Sequence, residues 1–164
     1  MKFVNTLSIG FVAIWMCLVG CSTAPEPLNF GKDICYSCKM TLVDKKFGAE
    51  LVTKKGKVYK FDDLNCMLGF YHSGFEETKN FQHHLVIDYS RPGTLVEAKD
   101  AFYLKSSALR TPMTSEVASF ASKQSLDSVK MQTKGVYLVW GEIRNDKNRA
   151  YNSSHQTYTP SLFL

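Results

Sequence analysis

The chain has 164 residues, 45% of them hydrophobic and 13% aromatic, with a net charge of +5 at pH 7. That composition supports one small globular core or two very small ones, and it excludes a low-complexity chain. The positive excess is mild. Lys45, Lys46, Lys54, Lys55, Lys57 and Lys60 cluster around a predicted hairpin and read as a solvated face. An anionic membrane surface or acidic partner is the other reading, and nucleic acid is not an expected partner.

Lys2 opens a short positive region, and an apolar run from Ile9 to Val19 follows it. The run is too short to span a bilayer comfortably. It ends in Leu18-Val19-Gly20-Cys21, the pattern of an aliphatic residue, small residues and a cysteine that marks a bacterial lipobox. Residues 1–20 are therefore expected to be a lipoprotein signal peptide, and Cys21 the acylated first residue of an envelope protein facing the periplasm. Two or more acyl chains hold such a protein stably at a membrane. Residues 21–33, with Pro25 and Pro27, read as a lipidated tether.

Five cysteines reduce to three once Cys17 is removed and Cys21 is acylated: Cys35, Cys38 and Cys66. An odd number in an oxidising compartment leaves at least one thiol outside any disulfide.

After the Cys35-Tyr36-Ser37-Cys38-Lys39-Met40 segment, Phe47–Val52 reads as a strand, Lys54-Lys55-Gly56-Lys57 as a turn, and Val58–Phe61 as the returning strand. Asp62-Asp63 offers an N-cap. Leu64, Met67, Leu68 and Tyr71 then mark one face of a helix, with Gly74 as its stop. Residues 34–84 thus form a first ββα unit.

A second such unit is expected over 85–145. Its strands are Leu85–Tyr89 and Ala101–Leu104, with a turn at Arg91–Thr94. Its helix is capped by Thr114 or Ser115 and carries Val117, Phe120 and Ala121. A buried strand from Val136 to Trp140 follows and runs on to Ile143. Residues 146–164 are a polar tail. The class is α+β.

The Cys35-x-x-Cys38-x-Met40 segment carries the chemistry. Two thiols and a thioether on a tight turn form an all-sulfur set, and soft sulfur ligands select Cu(I). A weak, low-coordinate site suits an ion that is to be passed on. Four other readings compete. Covalent haem uses Cys-x-x-Cys-His, and Lys39 stands in the histidine's place. A thioredoxin-like dithiol opens a helix, whereas this one enters a hairpin. A Cys35–Cys38 disulfide closes a very short, strained loop. Structural zinc on a treble-clef layout gains Cys66 as a third ligand, but the fourth position falls on Gly69 and closed zinc sites take four ligands.

Other donors remain open between two roles. Met113, in Thr111-Pro112-Met113, is a core methionine or a ligand. Cys66 is a small buried hydrophobe or a ligand. His72 would have to reach across the helix. His83 and His84 lie just before a strand, where solvent exposure is the plainer reading, and His84 is kept as a candidate ligand. No nucleophile–base pair or phosphate loop is visible, so the chain is not expected to be an enzyme.

These residues resemble the NosL family of copper-chaperone lipoproteins associated with nitrous oxide reductase. The marks are Cys35-Tyr-Ser-Cys38-Lys-Met40, Phe47-Gly-Ala-Glu-Leu-Val, Gly56-Lys-Val-Tyr-Lys-Phe61-Asp62-Asp63, Cys66-Met67-Leu68, Ala101-Phe-Tyr-Leu, Thr111-Pro112-Met113, Ala118-Ser-Phe120 and Tyr137 to Glu142. The family often has glycine where Lys39 stands. The resemblance implies two treble-clef-like ββα units and a Cu(I) site at Cys38 and Met40. Met113 is a further candidate, with Cys35 and a histidine as completing ligands. It also implies delivery of copper to apo nitrous oxide reductase beside a dedicated ABC transporter complex.

Overall fold

The computed structural model describes residues 22–145. The expected signal peptide, Cys21 and the polar tail lie outside them. Among the described residues, seven strands make two antiparallel sheets, accompanied by two principal helices. Strands β1 (Ala49–Thr53), β2 (Val58–Phe61), β3 (Phe81–Ile87) and β4 (Leu95–Glu97) form one, in the order β2-β1-β3-β4. Strands β5 (Phe102–Lys105), β6 (Val117–Phe120) and β7 (Val136–Leu138) form the other, in the order β6-β5-β7. Helix α1 (Leu64–Tyr71) follows β2, and helix α2 (Lys123–Thr133) follows β6.

The expected duplication is present, with one strand more per unit. In each half a strand is flanked on one side by its hairpin partner and on the other by the strand that follows the helix. The motif is ββαβ, and β4 is an extra edge strand on the first copy. β3 runs through residues 84 and 85, pairing with β1 and β4. Residues just beyond 84 therefore belong to the first sheet, and His83 and His84 lie within a strand instead of before it.

The first half forms as its pattern dictates. Ala49 and Leu51 pair with Phe61 and Tyr59, and α1 covers that face with Phe70 against both aromatics. Asp63 caps α1, its carboxylate accepting the Asn65 N–H at 3.0 Å. The helix stops at Tyr71, before Gly74.

Two expectations in the second half fail for identifiable reasons. Val117–Phe120 is strand β6, not a helix. Thr114 and Glu116 both hold left-handed backbone, φ near 55°, which breaks any helix begun there. The spacing of Val117, Phe120 and Ala121 imitates a helical face, but pairing with β5 fills the backbone bonds of residues 117–120. The helix starts about two turns later, where the Ser122 hydroxyl accepts the Ser125 N–H, and it buries only Leu126. The expected buried strand over Val136–Trp140 is a three-residue edge strand with Val136 and Tyr137 exposed. Having a neighbour on one side only, it gives way to helical backbone at 140–145, which seats Ile143 in the core.

The segment read as a tether is instead a strap over the outer face of the first sheet. Leu28 is buried. The Glu26 N–H donates to Glu50 Oε1 at 3.0 Å. Lys60, opposite Glu50 on β2, donates to the Pro27 carbonyl at 3.1 Å and pairs with Glu26 and Asp33 at 3.2 and 3.0 Å. At Gly56, φ +80°, an added Cβ would lie 2.5 Å from the Ser22 carbonyl oxygen, so the strap begins against the β1–β2 turn. With α1 on one face and the strap on the other, β1 is buried along its whole length.

Glu50 is consequently an enclosed carboxyl with Oε2 unpartnered, and burial pushes its pKa up from 4.5 to about 7. The folded state then holds the proton more tightly than the unfolded chain, so the stability this gives is present below about pH 4.5 and is lost as pH rises through about 7. Glu50→Gln should flatten that dependence. In urea titrations it should gain on the order of 2 kcal/mol over the parent at pH 8 and nothing at pH 4.

Candidate metal centre

A small antiparallel turn carries the first two cysteines. Ile34 bridges to Thr41, and the Leu42 N–H donates to the Asp33 carbonyl at 3.0 Å. Inside it, the Cys35 N–H donates to the Met40 carbonyl at 2.8 Å and the Lys39 N–H to the Cys35 carbonyl at 3.0 Å. The Tyr36 N–H donates to the Lys60 carbonyl at 2.8 Å, pinning the turn to β2. Cys66 approaches from the first turn of α1.

The Sγ atoms of Cys35, Cys38 and Cys66 all lie within 4.8 Å of one another. Sulfurs sharing one ion at a bond of about 2.3 Å lie roughly 3.8–4.0 Å apart, so a small inward shift makes three bonds to a single metal. All three are free thiols. Cys35 and Cys66 are buried and Cys38 is half-buried, which leaves one open side.

The electrostatics favour one thiolate. Cys35 is lowered to about 5, first because the Cys66 thiol donates to it, with the backbone N–H groups of Cys38 and Asp62 donating as well. Cys66 is pushed up because it supplies that bond, and Cys38 is pushed up by burial. The Asp62 carboxyl rises to about 6 through burial and the nearby Cys35 thiolate, and its Oδ1 has no partner. A buried, electron-rich pocket of this kind is relieved by a cation.

The remaining candidates divide. Met40 follows Cys38 by two residues on the turn and is 47% exposed. Met113 comes from the other half of the chain. Its N–H donates to Asp63 Oδ2 at 2.9 Å, and its carbonyl accepts from Asn65 Nδ2 at 2.8 Å. Those two bonds clasp the Thr111–Thr114 loop to the start of the helix that carries Cys66. Met113 also packs against the core cluster that contains Cys35 and Cys66. His84 is not in the thiol group. It sits among Tyr71, Phe81 and Trp140, with burial lowering its pKa. His72 reaches the Arg144 carbonyl at 3.3 Å, and His83 lies against Glu97 at 2.5 Å.

Sequence reasoning recognised Asp63 only as a cap. Its second bond, across 50 positions, has no local signal. Lys39 is the other surprise. It takes φ 64°, a left-handed conformation that favours glycine. Its ammonium donates to the Tyr36 carbonyl at 2.7 Å and lies 4.4 Å from the Tyr36 ring centroid, so the side chain closes the turn it strains.

Fold and site together define a two-unit α+β protein with a three-thiol knuckle suited to a soft metal ion. The chain belongs to the NosL family, which matches it over residues 29–148. No curated protein matches the sequence. Its fold is similar to that in a crystal structure of the copper chaperone NosL from Shewanella denitrificans, with a TM-score of 0.62 at 20% identity. That match covers 74% of this chain and 96% of the other.

Asp63→Ala should cost about 2 kcal/mol in chemical denaturation, one part for the lost cap and one for the bond to Met113. Lys39→Gly should leave stability unchanged or raise it by up to about 1 kcal/mol, since glycine removes the left-handed strain.

Proposed function

We propose that this protein is a membrane-anchored Cu(I) metallochaperone of the cell envelope. The observation that carries the reading is the meeting of three thiols in one half-open pocket, beside Met40 on the same turn and the clasped Met113 loop. Cu(I) prefers thiolate and thioether ligands at low coordination number. Cys38 and Met40 are assigned as principal ligands. Cys35 and Cys66 complete the thiol set, and Met113 is placed to join from the second half. His84 is set aside.

Transfer follows from the asymmetry of the pocket. Cys35 supplies the standing thiolate, and each further thiol loses its proton as the metal binds. Cys38 is the least buried of the three thiols and Met40 is exposed, so a recipient's ligands replace these two first, one at a time. The recipient is assigned as apo nitrous oxide reductase, with its ABC transporter complex as docking partner, on the strength of the family. Acylation of Cys21 keeps the protein at the membrane. The chain is not assigned an enzymatic activity.

Competition with bathocuproine under reducing conditions tests the reading. Four-ligand thiolate and imidazole sites gain roughly 10–16 kcal/mol, so loss of one thiolate weakens binding by about a hundredfold. Cys38→Ala and Cys66→Ala should each lose that much, and Met40→Leu a smaller part. Affinity unmoved by Cys38→Ala sinks the copper site. Catalytic reduction of a disulfide substrate would favour the dithiol alternative. One tightly held zinc, whose removal unfolds the protein, would favour a structural module. Copper content of the reductase purified from a strain lacking this protein tests the recipient.

A further inference from the structure

The strap places the start of the mature chain at one end of the first sheet. Ser22 lies against Gly56 in the β1–β2 turn, closely enough that a Cβ there would meet its carbonyl oxygen at 2.5 Å. The turn is held by the Gly56 N–H donating to the Thr53 carbonyl and the Lys54 N–H to the Asn80 carbonyl, at 2.9 and 2.8 Å. Lys54, Lys55 and Lys57 are all exposed on it and line one shallow cleft with Glu76 and Asn80. Lys79, the next lysine along, is paired with Glu77 at 2.6 Å. Glu76 is the carboxylate facing the three lysines, and it already accepts from Tyr59 and Asn80. The end of the sheet is therefore net positive.

An exposed aromatic completes the surface. Phe75 is 61% exposed, and the Lys57 ammonium lies 5.8 Å from its ring centroid. Lysines beside an unburied aromatic ring match the two layers of a membrane interface, with ammonium groups at the phosphates and the ring below them.

We propose that the β1–β2 turn is the membrane-facing surface of the protein, with Lys54, Lys55 and Lys57 against anionic phospholipid headgroups and Phe75 at the acyl boundary. The proposal rests on acylation of Cys21, the residue before Ser22. One acyl-bearing residue allows the domain to tumble on its linkage. A strapped chain start beside three lysines fixes its orientation. Phe75 also packs against Tyr36, 5.8 Å between ring centroids, and Tyr36 lies between the two cysteines of the knuckle. The same orientation thus sets the metal pocket near the bilayer, where a membrane-embedded partner opens.

Amine acetylation read by mass spectrometry tests this on the acylated mature protein. On vesicles containing phosphatidylglycerol, Lys54, Lys55 and Lys57 should be protected several-fold relative to Lys134, and they should react freely in neutral detergent. In parallel, the mature chain with Cys21→Ser should bind those vesicles at low salt, and K54E/K55E/K57E should weaken binding by about fivefold per lysine. An acylated Cys21 with equal lysine reactivity on vesicles and in detergent overturns the orientation and leaves the anchor standing. If intact mass shows no acyl group on Cys21, the anchor fails, and the vesicle binding of the Cys21→Ser chain decides the lysine surface alone. Binding that charge reversal does not change overturns it.

Discussion

Two bonds to Met113, one from Asp63 and one from Asn65, tie the helix that carries Cys66 to the second half of the chain. Asp63 is a buried helix cap whose two oxygens serve different halves of the chain, one taking Asn65 N–H and the other Met113 N–H. Asn65 returns the contact to the Met113 carbonyl. A helix N-terminus offers unsatisfied N–H groups, and a carboxylate there is doubly favoured, by the bond and by the dipole. Using its second oxygen on a distant loop turns an ordinary cap into a junction. Cys66, one turn into that helix, is thereby registered against the Met113 loop from the far repeat.

The duplication explains why such a junction is needed. Units as small as each ββαβ repeat bury a smaller share of their surface than one larger domain does, so contacts between the two add to the stability of both. The sheets are joined further by Ser119, whose hydroxyl donates to the Ile87 carbonyl and whose own carbonyl accepts the Tyr89 N–H. Among the described residues the cysteines all lie in the first repeat, and the Met113 loop of the second is bonded to the helix that carries Cys66. The outer face of the first sheet is closed by the strap, which leaves Glu50 enclosed and Ser22 against the lysine turn.

Within the pocket, geometry and proton balance agree. The Cys66 thiol, helped by the backbone N–H groups of Cys38 and Asp62, donates to Cys35 and favours its thiolate, while the Cys66 and Cys38 thiols are themselves pushed up. A metal ion replaces the shared protons, so binding and deprotonation are one event. The partial exposure of Cys38 keeps the thiol group from being fully sealed. Gly69, where a fourth zinc ligand would stand, offers none.

Local pattern made the first half readable. The knuckle, the Lys54–Lys57 turn, the β1–β2 pairing and the Asp63-capped helix all depend on neighbours within a few residues, and each formed as read. The cysteine count kept Cys66 in view as a ligand or a small buried hydrophobe, and only the geometry set it beside Cys35 and Cys38. The second half was less legible, because Val117, Phe120 and Ala121 satisfy a helical spacing that left-handed Thr114 and Glu116 forbid. Nothing in composition announces those two backbone angles. The strap was hidden for a related reason. Two prolines and polar residues read as a linker until a buried carboxyl and a lysine on neighbouring strands are seen to bind its backbone. The sequence by itself determined the sulfur chemistry, the α+β class and the repeat, since residue type and short-range spacing decide those. Which thiols meet, that the Met113 loop is held to the start of the Cys66 helix, and where Ser22 lies were decided by tertiary structure, because each depends on contacts between residues dozens of positions apart.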